Sequence, residues 1–296
     1  MRVRYISDGP LKGQYNMGID EAIQRAVGRG EVLPTVRFYQ WDPACLSLGY
    51  FQDVNREVNL AGLREAKVDL VRRSTGGKAV LHDDELTYSV VILEKDLRGS
   101  VLETYCEISR ALAEGLRRLG LPAQMAALER GVSARDPRFR QAACFSAPSW
   151  FEITVHQKKI IGSAQNRKNG VILQHGSIPF HFDAQKLVGC LRTSSQEHAS
   201  RAALMLARKA LGVSQALGRE VSRKELEAAI CTGFEAMLGW EIEPGELTAS
   251  ERSESARLAE EKYGSRKWTM ERGKLNEELY RRWQFEGGLW CSTSLS

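Results

Sequence analysis

Residues 72–84 read RRSTGGKAVLHDD, between an apolar run, VDLV (68–71), and a second one, LTYSVVIL (86–93). Four to eight apolar, β-branched-rich residues bounded by turn signals are the mark of buried strands. The reading is therefore strand, turn, strand. Paired glycines, having no Cβ, let backbone N–H groups come close to a ligand. Adjacent arginines can fork onto carboxylate or phosphate oxygens. Two readings stand side by side: a loop holding an anion or a phosphopantetheine-like arm, and a tight β-turn with a solvated charged rim. A P-loop is excluded because Ala79 follows GGK where a magnesium-binding Ser or Thr belongs, and G-x-G-x-x-G is absent. His82 and Asp83 have no second histidine at i+4, so the spacing gives no metal site.

Outward from this turn, TVRFYQ (35–40) and CLSLGY (45–50) read as strands joined by a turn at Pro43. Residues 53–65 have helical spacing through Val54, Val58, Leu60 and Leu63. A strong helix spans 103–119, with Tyr105, Ile108, Leu112, Leu116 and Leu119 on one face. Residues 127–142 are polar and read as a long loop. WFEITVH (150–156), a turn at Gln157-Lys158 and KIIGSAQ (159–165) form a hairpin, and VILQHGSIPF (171–180) a further strand. Helices then cluster: 183–191, one behind a Ser222–Glu225 capping box with Leu226, Ile230, Phe234 and Met237 on its apolar face, and one near 253–263. The tail with Trp283, Trp290 and Cys291 is read as loosely docked. Strands early and helices late predict an α+β fold.

A second polar constellation spans 156–178, HQKKIIGSAQNRKNGVILQHGSI. Polar groups inside apolar strands carry a desolvation cost, so they either do a task or form a closed hydrogen-bond network.

Of the 296 residues, 43% are hydrophobic and 27% charged, values of an ordinary globular protein with a sizeable core. MRVRYISDGP has no apolar h-region, and no run approaches a membrane span, so a cytoplasmic chain with no membrane contact is expected. Cysteines at 45, 106, 144, 190, 231 and 291 show no C-x-x-C spacing, and reduced thiols are expected. A net charge of +5 suits an acidic protein partner, while no nucleic-acid signature is present.

RRSTGGKAVLHDDELTYSV with KKIIGSAQNRKNGVILQHGSI resembles the biotin/lipoate protein ligase catalytic domain. ACFSAPSWFEI, NMGIDE, VRFYQWDPACLSLGYFQ and AEEKYGSRKWT resemble one branch of it, the octanoyl-[acyl-carrier-protein]:protein N-octanoyltransferases of the Gram-positive type. The resemblance covers most of residues 1–269. It implies a mixed-sheet α+β catalytic domain over 1–269 (core about 30–220, helical end about 221–269) and a 270–296 tail. It implies transfer of an octanoyl group from acyl carrier protein to a lysine of a lipoyl domain, such as glycine-cleavage H protein or a dehydrogenase E2 subunit, in lipoate biosynthesis. The implied acyl-thioester nucleophile is Cys144, in the C-F-x-A-P-S motif, and the lysine that lowers its pKa is Lys159. The neighbouring Lys158 belongs to the turn. Implied substrate contacts are Arg73, Thr75, Gly76, Gly77, His82, Gly162, Ser163, Gln165, His175 and Gly176. No metal, no ATP and no other cofactor is implied beyond the octanoyl-phosphopantetheine thioester as donor. Ser74 stands where the family often has proline, and residues 270–296 extend past its usual end.

Backbone N–H groups near Gly76-Gly77 or Gly162-Ser163 are candidates to hold the carbonyl oxygen. Val80, Tyr88, Val90 and Ile161 are candidates for an acyl slot or simply core. His82 reads as a brace, and His175 as a brace or a proton shuttle. Competing readings are an ATP-dependent lipoate–protein ligase, an amidotransferase between lipoyl proteins, and a non-catalytic binder of lipoyl domains. A biotin ligase fits less well, lacking the C-F-x-A-P-S segment.

Overall fold

The computed structural model describes residues 1–127 and 151–271. Among them are strands β1 (Arg2–Leu11), β2 (Thr35–Trp41), β3 (Cys45–Leu48), β4 (Asp69–Arg72), β5 (Val80–His82), β6 (Glu85–Leu93), β7 (Gln124–Ala127), β8 (Phe151–Val155), β9 (Lys158–Lys168), β10 (Val171–Pro179) and β11 (Glu241–Pro244). The helices are α1 (Gly13–Gly28), α2 (Val54–Glu57), α3 (Leu60–Glu65), α4 (Val101–Arg118), α5 (Ala184–Gly189), α6 (Gln196–Lys209), α7 (Val213–Leu217), α8 (Arg223–Leu238) and α9 (Ala249–Leu258), the last followed by a π-helical turn, Ala259–Tyr263.

The described strands make one large sheet, ordered β11-β1-β2-β6-β10-β9-β8-β7, and a small one, β4-β3-β5. β1 is parallel to β2 and β11, and the other large-sheet pairs are antiparallel, so the sheet is mixed. Alternation along the strands sorts the two faces. Tyr88, Val90, Ile92 and Ile172 bury with Ile108, Leu112 and Leu116 of α4 and Leu226, Ile230 and Phe234 of α8. Val91, Val171 and Leu173 bury on the other face against Ile19, Ile23 and Val27 of α1. The small sheet packs with α3, α5 and α6 in a separate cluster that includes Leu46, Leu48, Leu63, Val80, Val188 and Leu206.

Local chemistry explains most element ends. Ser100 caps α4 in a full capping box with Glu103, which starts the helix at Val101, earlier than its apolar spacing indicates. At α8, Ser222 Oγ accepts from Glu225 N–H, but the Glu225 carboxylate is drawn to Arg219 (2.6 Å), so the expected box is half formed. Met237, placed on the apolar face by spacing, is 47% exposed. Residues 53–65 hold two short helices, because Val58 leaves the helical path to bridge Leu191. The β8–β9 turn lies at His156 and Gln157, both at positive φ (49° and 61°) as a two-residue hairpin demands, so Lys158 already belongs to β9. Strands β1, β5, β7 and β11 and helices α1, α6 and α7 are additions to what the spacing indicates. Ala127 ends β7 where a loop is expected to begin, and residues 270–271 are still helical; the rest of the expected 127–142 loop and of the 270–296 tail lies outside the described residues. No described helix is long and apolar enough to cross a membrane.

Candidate active site

The two sheets meet over a narrow, half-open cleft. The small sheet contributes Ser47, Val80 and His82. The large sheet contributes Tyr39, Trp41, Thr87, residues 162–164 and residues 175–177, with Met17 from α1 and Arg73 from the turn. Of the site residues inferred from sequence, Arg73, His82, Gly162, Ser163, His175 and Gly176 thus share one cleft.

The turn after β4 is held by arginines. Arg72, fully buried, donates to the carbonyls of Gly49, Tyr50, Gln52 and Thr269 (2.7–3.1 Å). Arg73 donates from Nη1 to Ser47 O (2.8 Å) and Ser47 Oγ (3.0 Å), and from Nη2 to Gly76 O (2.9 Å) and Lys78 O (2.7 Å). These guanidinium groups satisfy main-chain acceptors that the tight turn leaves unpaired. The glycines follow from the same compression. Gly77 sits at φ +93°, and a Cβ on Gly49 would stand 2.0 Å from Gly77 O. A Cβ on Gly77 would lie 3.8 Å from the Ala164 methyl, so the turn rests on β9.

Two histidines line the cleft, each bridging a hydroxyl and a carboxylate. Thr75 Oγ1 is 2.7 Å from His175 Nε2, and His175 Nδ1 is 3.2 Å from Asp20 Oδ2. Asp20 also accepts from Tyr39 Oη (2.9 Å), Arg37 Nη1 (2.9 Å) and Ser89 Oγ (3.0 Å). Burial pushes the Asp20 carboxyl up, but His175, Arg37 and Tyr39 outweigh it and hold its pKa below the ordinary value. Burial also holds the His175 imidazole below its ordinary 6.5, against the pull of Asp20. In the second chain Ser47 Oγ is 2.7 Å from His82 Nε2, and His82 Nδ1 is 3.2 Å from Glu85 Oε1. His82 stacks on Trp41 with ring centroids 4.0 Å apart, and Thr87 donates to Glu85 Oε1. Among the described residues Glu85 Oε2 and Ser177 Oγ have no hydrogen-bond partner.

Gln165 lies on the opposite face of the sheet from the cleft. Its amide donates to Gln174 Oε1 (3.0 Å), Gln174 donates to Tyr88 Oη (3.0 Å), and Tyr88 donates to Ser163 Oγ (2.8 Å). A Cβ on Gly176 would stand 2.7 Å from both Tyr88 and Ser163 Oγ, so that glycine lets the network close. Tyr88, Val90 and Ile161 belong to the main core, and Val80 alone of the four acyl-slot candidates lines the cleft.

Lys159 is 5% exposed near the start of β9. The β8–β9 register shifts between Ile153 and Thr154, which pair with Ile161 and Lys159. Ile160 and Ile161 both bury in the main core. The alternation therefore slips by one residue, as a β-bulge makes it do, and Lys159 falls in step with Gly162 and Ala164 on the cleft face. Cys144 lies outside the described residues.

Asn16, Asp20, Arg37 and Tyr39 complete the site without having been singled out from the sequence. A partial signal was present: Asn16 and Asp20 are polar at i, i+4 beside the apolar Met17, Ile19 and Ile23, and Arg37 sits inside an apolar strand. Arg37 is fully buried and bonds Asp8 Oδ2 (2.6 Å) and Asn16 Oδ1 (2.8 Å) besides Asp20.

A mixed sheet with a glycine-arginine turn closing over a lysine-bearing hairpin defines a lipoate-ligase type of catalytic domain. Residues 12–235 match the family model of the lipoyl protein ligase A/B catalytic domain, and the chain belongs to that family. It is 45% identical to octanoyltransferase LipM of Symbiobacterium thermophilum over 267 residues, covering 90% of this chain and 97% of that protein. It is 38% identical to octanoyltransferase LipM of Bacillus subtilis over 274 residues (91% and 98%). Among solved structures it is similar to the bipartite lipoate protein ligase of Thermoplasma acidophilum, with a TM-score of 0.78, 26% identity, and coverage of 94% of this chain and 99% of that one. It is also similar to a lipoate-protein ligase A bound with ATP (0.76, 27%, covering 93% and 100%).

Proposed function

We propose that this chain is an octanoyltransferase of lipoate biosynthesis, an acyltransferase that moves an octanoyl group from acyl carrier protein to a lysine of a lipoyl domain through a Cys144 thioester. The observation that carries the reading is the bulge that sets Lys159 on the cleft face of β9, in a chain whose 38–45% identical relatives are named octanoyltransferases. The thiols favour Cys144 by contrast. Burial raises Cys45, Cys106, Cys190 (to about 11) and Cys231 (to about 12), which makes all four poor nucleophiles at neutral pH. Of the remaining two, Cys144 alone lies within the matched 12–235.

An ammonium beside a thiol favours the thiolate. The Cys144 thiolate attacks the donor thioester carbonyl, the C–S bond to phosphopantetheine breaks, and the pantetheine sulfur leaves as thiolate. One thioester replaces another, so no ATP is consumed. The neutral amine of the acceptor lysine then attacks the octanoyl-Cys144 carbonyl, and the amide forms as the Cys144 thiolate departs. The amine's proton passes to solvent or to the released thiolate. Lys159 assists twice, stabilising the thiolate and, by like charge, favouring the neutral form of the incoming lysine. Arg73, Thr75, Gly76, Gly77 and His82 form the wall over the acyl carbonyl. Gly162, Ser163, His175 and Gly176 form the floor, which Gln165 supports from behind. Such chemistry suits the cytoplasm, where thiols stay reduced.

A ligase reading draws on the likeness to ATP-bound lipoate-protein ligase A. The Cys144→Ser variant separates the two. It is expected to lose transfer from octanoyl carrier protein and the octanoyl adduct seen by intact mass spectrometry. Retention of full activity with free lipoate and ATP would make the protein a ligase.

A further inference from the structure

A second, larger and more open hollow lies between α5, α6 and α7. Its lining is mixed, with Val188 from α5 and Ala203 and Leu204 from α6 forming an apolar centre and Asp183, Gln185, Gln196 and Ser200 at its polar edge. Leu204 is 64% exposed and the adjoining Met205 46%, so the helix offers two large side chains to solvent at its middle. The charge around them is mainly positive. Arg192, Arg208 and Lys209 are exposed along this segment, Arg201 is ion-paired with Glu197, and Asp183 is exposed at the rim of the hollow. An apolar centre flanked by cations is complementary to an acidic protein surface with an apolar centre of its own.

The hollow is fastened to both walls of the cleft. On one side Lys186 of α5 bonds Asp83 (2.6 Å), the residue next to His82. On the other, Lys158 Nζ bonds Ala207 O (3.3 Å), and Leu211 N–H bonds Lys159 O (3.2 Å). Arg201 and Lys209 are eight residues apart on α6, about 12 Å at 1.5 Å per residue. A protein seated on α6 is therefore close to Lys159. That proximity decides between the two partners. A phosphopantetheine arm is long and lets its carrier dock at a distance. A lysine side chain has four methylenes and requires its domain to sit beside the reaction.

We propose that the α5–α6 groove docks the acidic domain that presents the acceptor lysine, an inference that rests on the octanoyltransferase reading for the partner's identity. Leu204 enters the apolar centre of that domain, and Arg208 and Lys209 face its carboxylates.

The test compares the wild-type chain with the Leu204→Asp and Arg208→Glu variants, both altered at exposed positions. Calorimetric titration with an unmodified lipoyl domain reads docking whatever the chemistry does. Each variant is expected to weaken binding about tenfold. The deficit of Arg208→Glu should shrink with added salt. In turnover, the KM for the lipoyl domain rises while the rate of octanoyl loading, followed by intact mass, stays at the wild-type value. Unchanged lipoyl-domain affinity overturns the proposal. So does slowed loading with unchanged acceptor affinity, which would give the groove to the donor carrier. So does a concentration-dependent mass in solution that the variants abolish, which would give it to a second copy of this chain. Failure of the wild type to acquire any octanoyl adduct counts against the proposed function, and the calorimetric comparison still decides the docking.

Discussion

The two hydroxyl–imidazole–carboxylate chains flanking the cleft look alike in outline and differ at their carboxylate ends. Asp20 accepts from four side chains, one of them the buried Arg37 guanidinium. Glu85 Oε1 takes Thr87 and His82, and its Oε2 has no partner among the described residues. The cation of the second chain is at the other end, where Arg73 meets Ser47. A saturated buried carboxylate is a rigid anchor, whereas a half-satisfied one is a weak point. The Asp20 chain therefore pins the Thr75–Gly77 turn to the large sheet. The Glu85 chain, stacked on Trp41, positions β5 and tolerates change at its far end.

Several substitutions would break or sharpen that contrast. Asp20→Asn leaves the Arg37 charge buried and underpaired, and is expected to cost about 3–5 kcal/mol in guanidinium unfolding. His175→Phe strips one donor from Asp20 and leaves Thr75 without its acceptor. About 2 kcal/mol and a marked fall in octanoyl loading are expected, since the turn loses its tie. Glu85→Gln keeps an oxygen for Thr87 and His82 and removes a charge that is poorly solvated. Its cost should be about 1 kcal/mol or less, and a loss equal to that of Asp20→Asn would end the distinction. The smallest effect is on pH dependence. His175 has a pKa below 6.5 in the folded chain, so the unfolded chain binds more protons under that pH. This part of the stability is complete above about pH 6.5 and declines as pH falls below it. His175→Gln should flatten that stretch of the stability profile.

The strands, the turn and the hairpin were legible because periodicity and glycine-proline punctuation are local signals. Six of the residues named as site candidates, Arg73, His82, Gly162, Ser163, His175 and Gly176, line one cleft although about a hundred residues of chain separate the two groups. What stayed hidden was non-local. The arginine pair reads equally well as an anion fork or as a turn brace, and only the position of Ser47, Gly49 and Thr269 assigns main-chain partners to it. Nothing local marks Asp20 as the partner of His175, 155 residues away. The reversal of Lys159 onto the cleft face depends on a register slip against β8, which a two-residue repeat does not foresee. Residues 53–65 were misread for a similar reason: Val58 answers to Leu191, not to its own helix.

The close approach of Gly49 to Gly77 has a practical consequence for altering acyl preference. The turn has a hard stop behind it, so a side chain at 49 would shove the wall bodily inward and shrink the space for every substrate at once. Gly176 imposes the same kind of limit from below. On the proposed acyltransferase reading, a library aimed at longer or branched fatty acids should vary Met17 and Val80, which line the cleft, and leave the three glycines untouched.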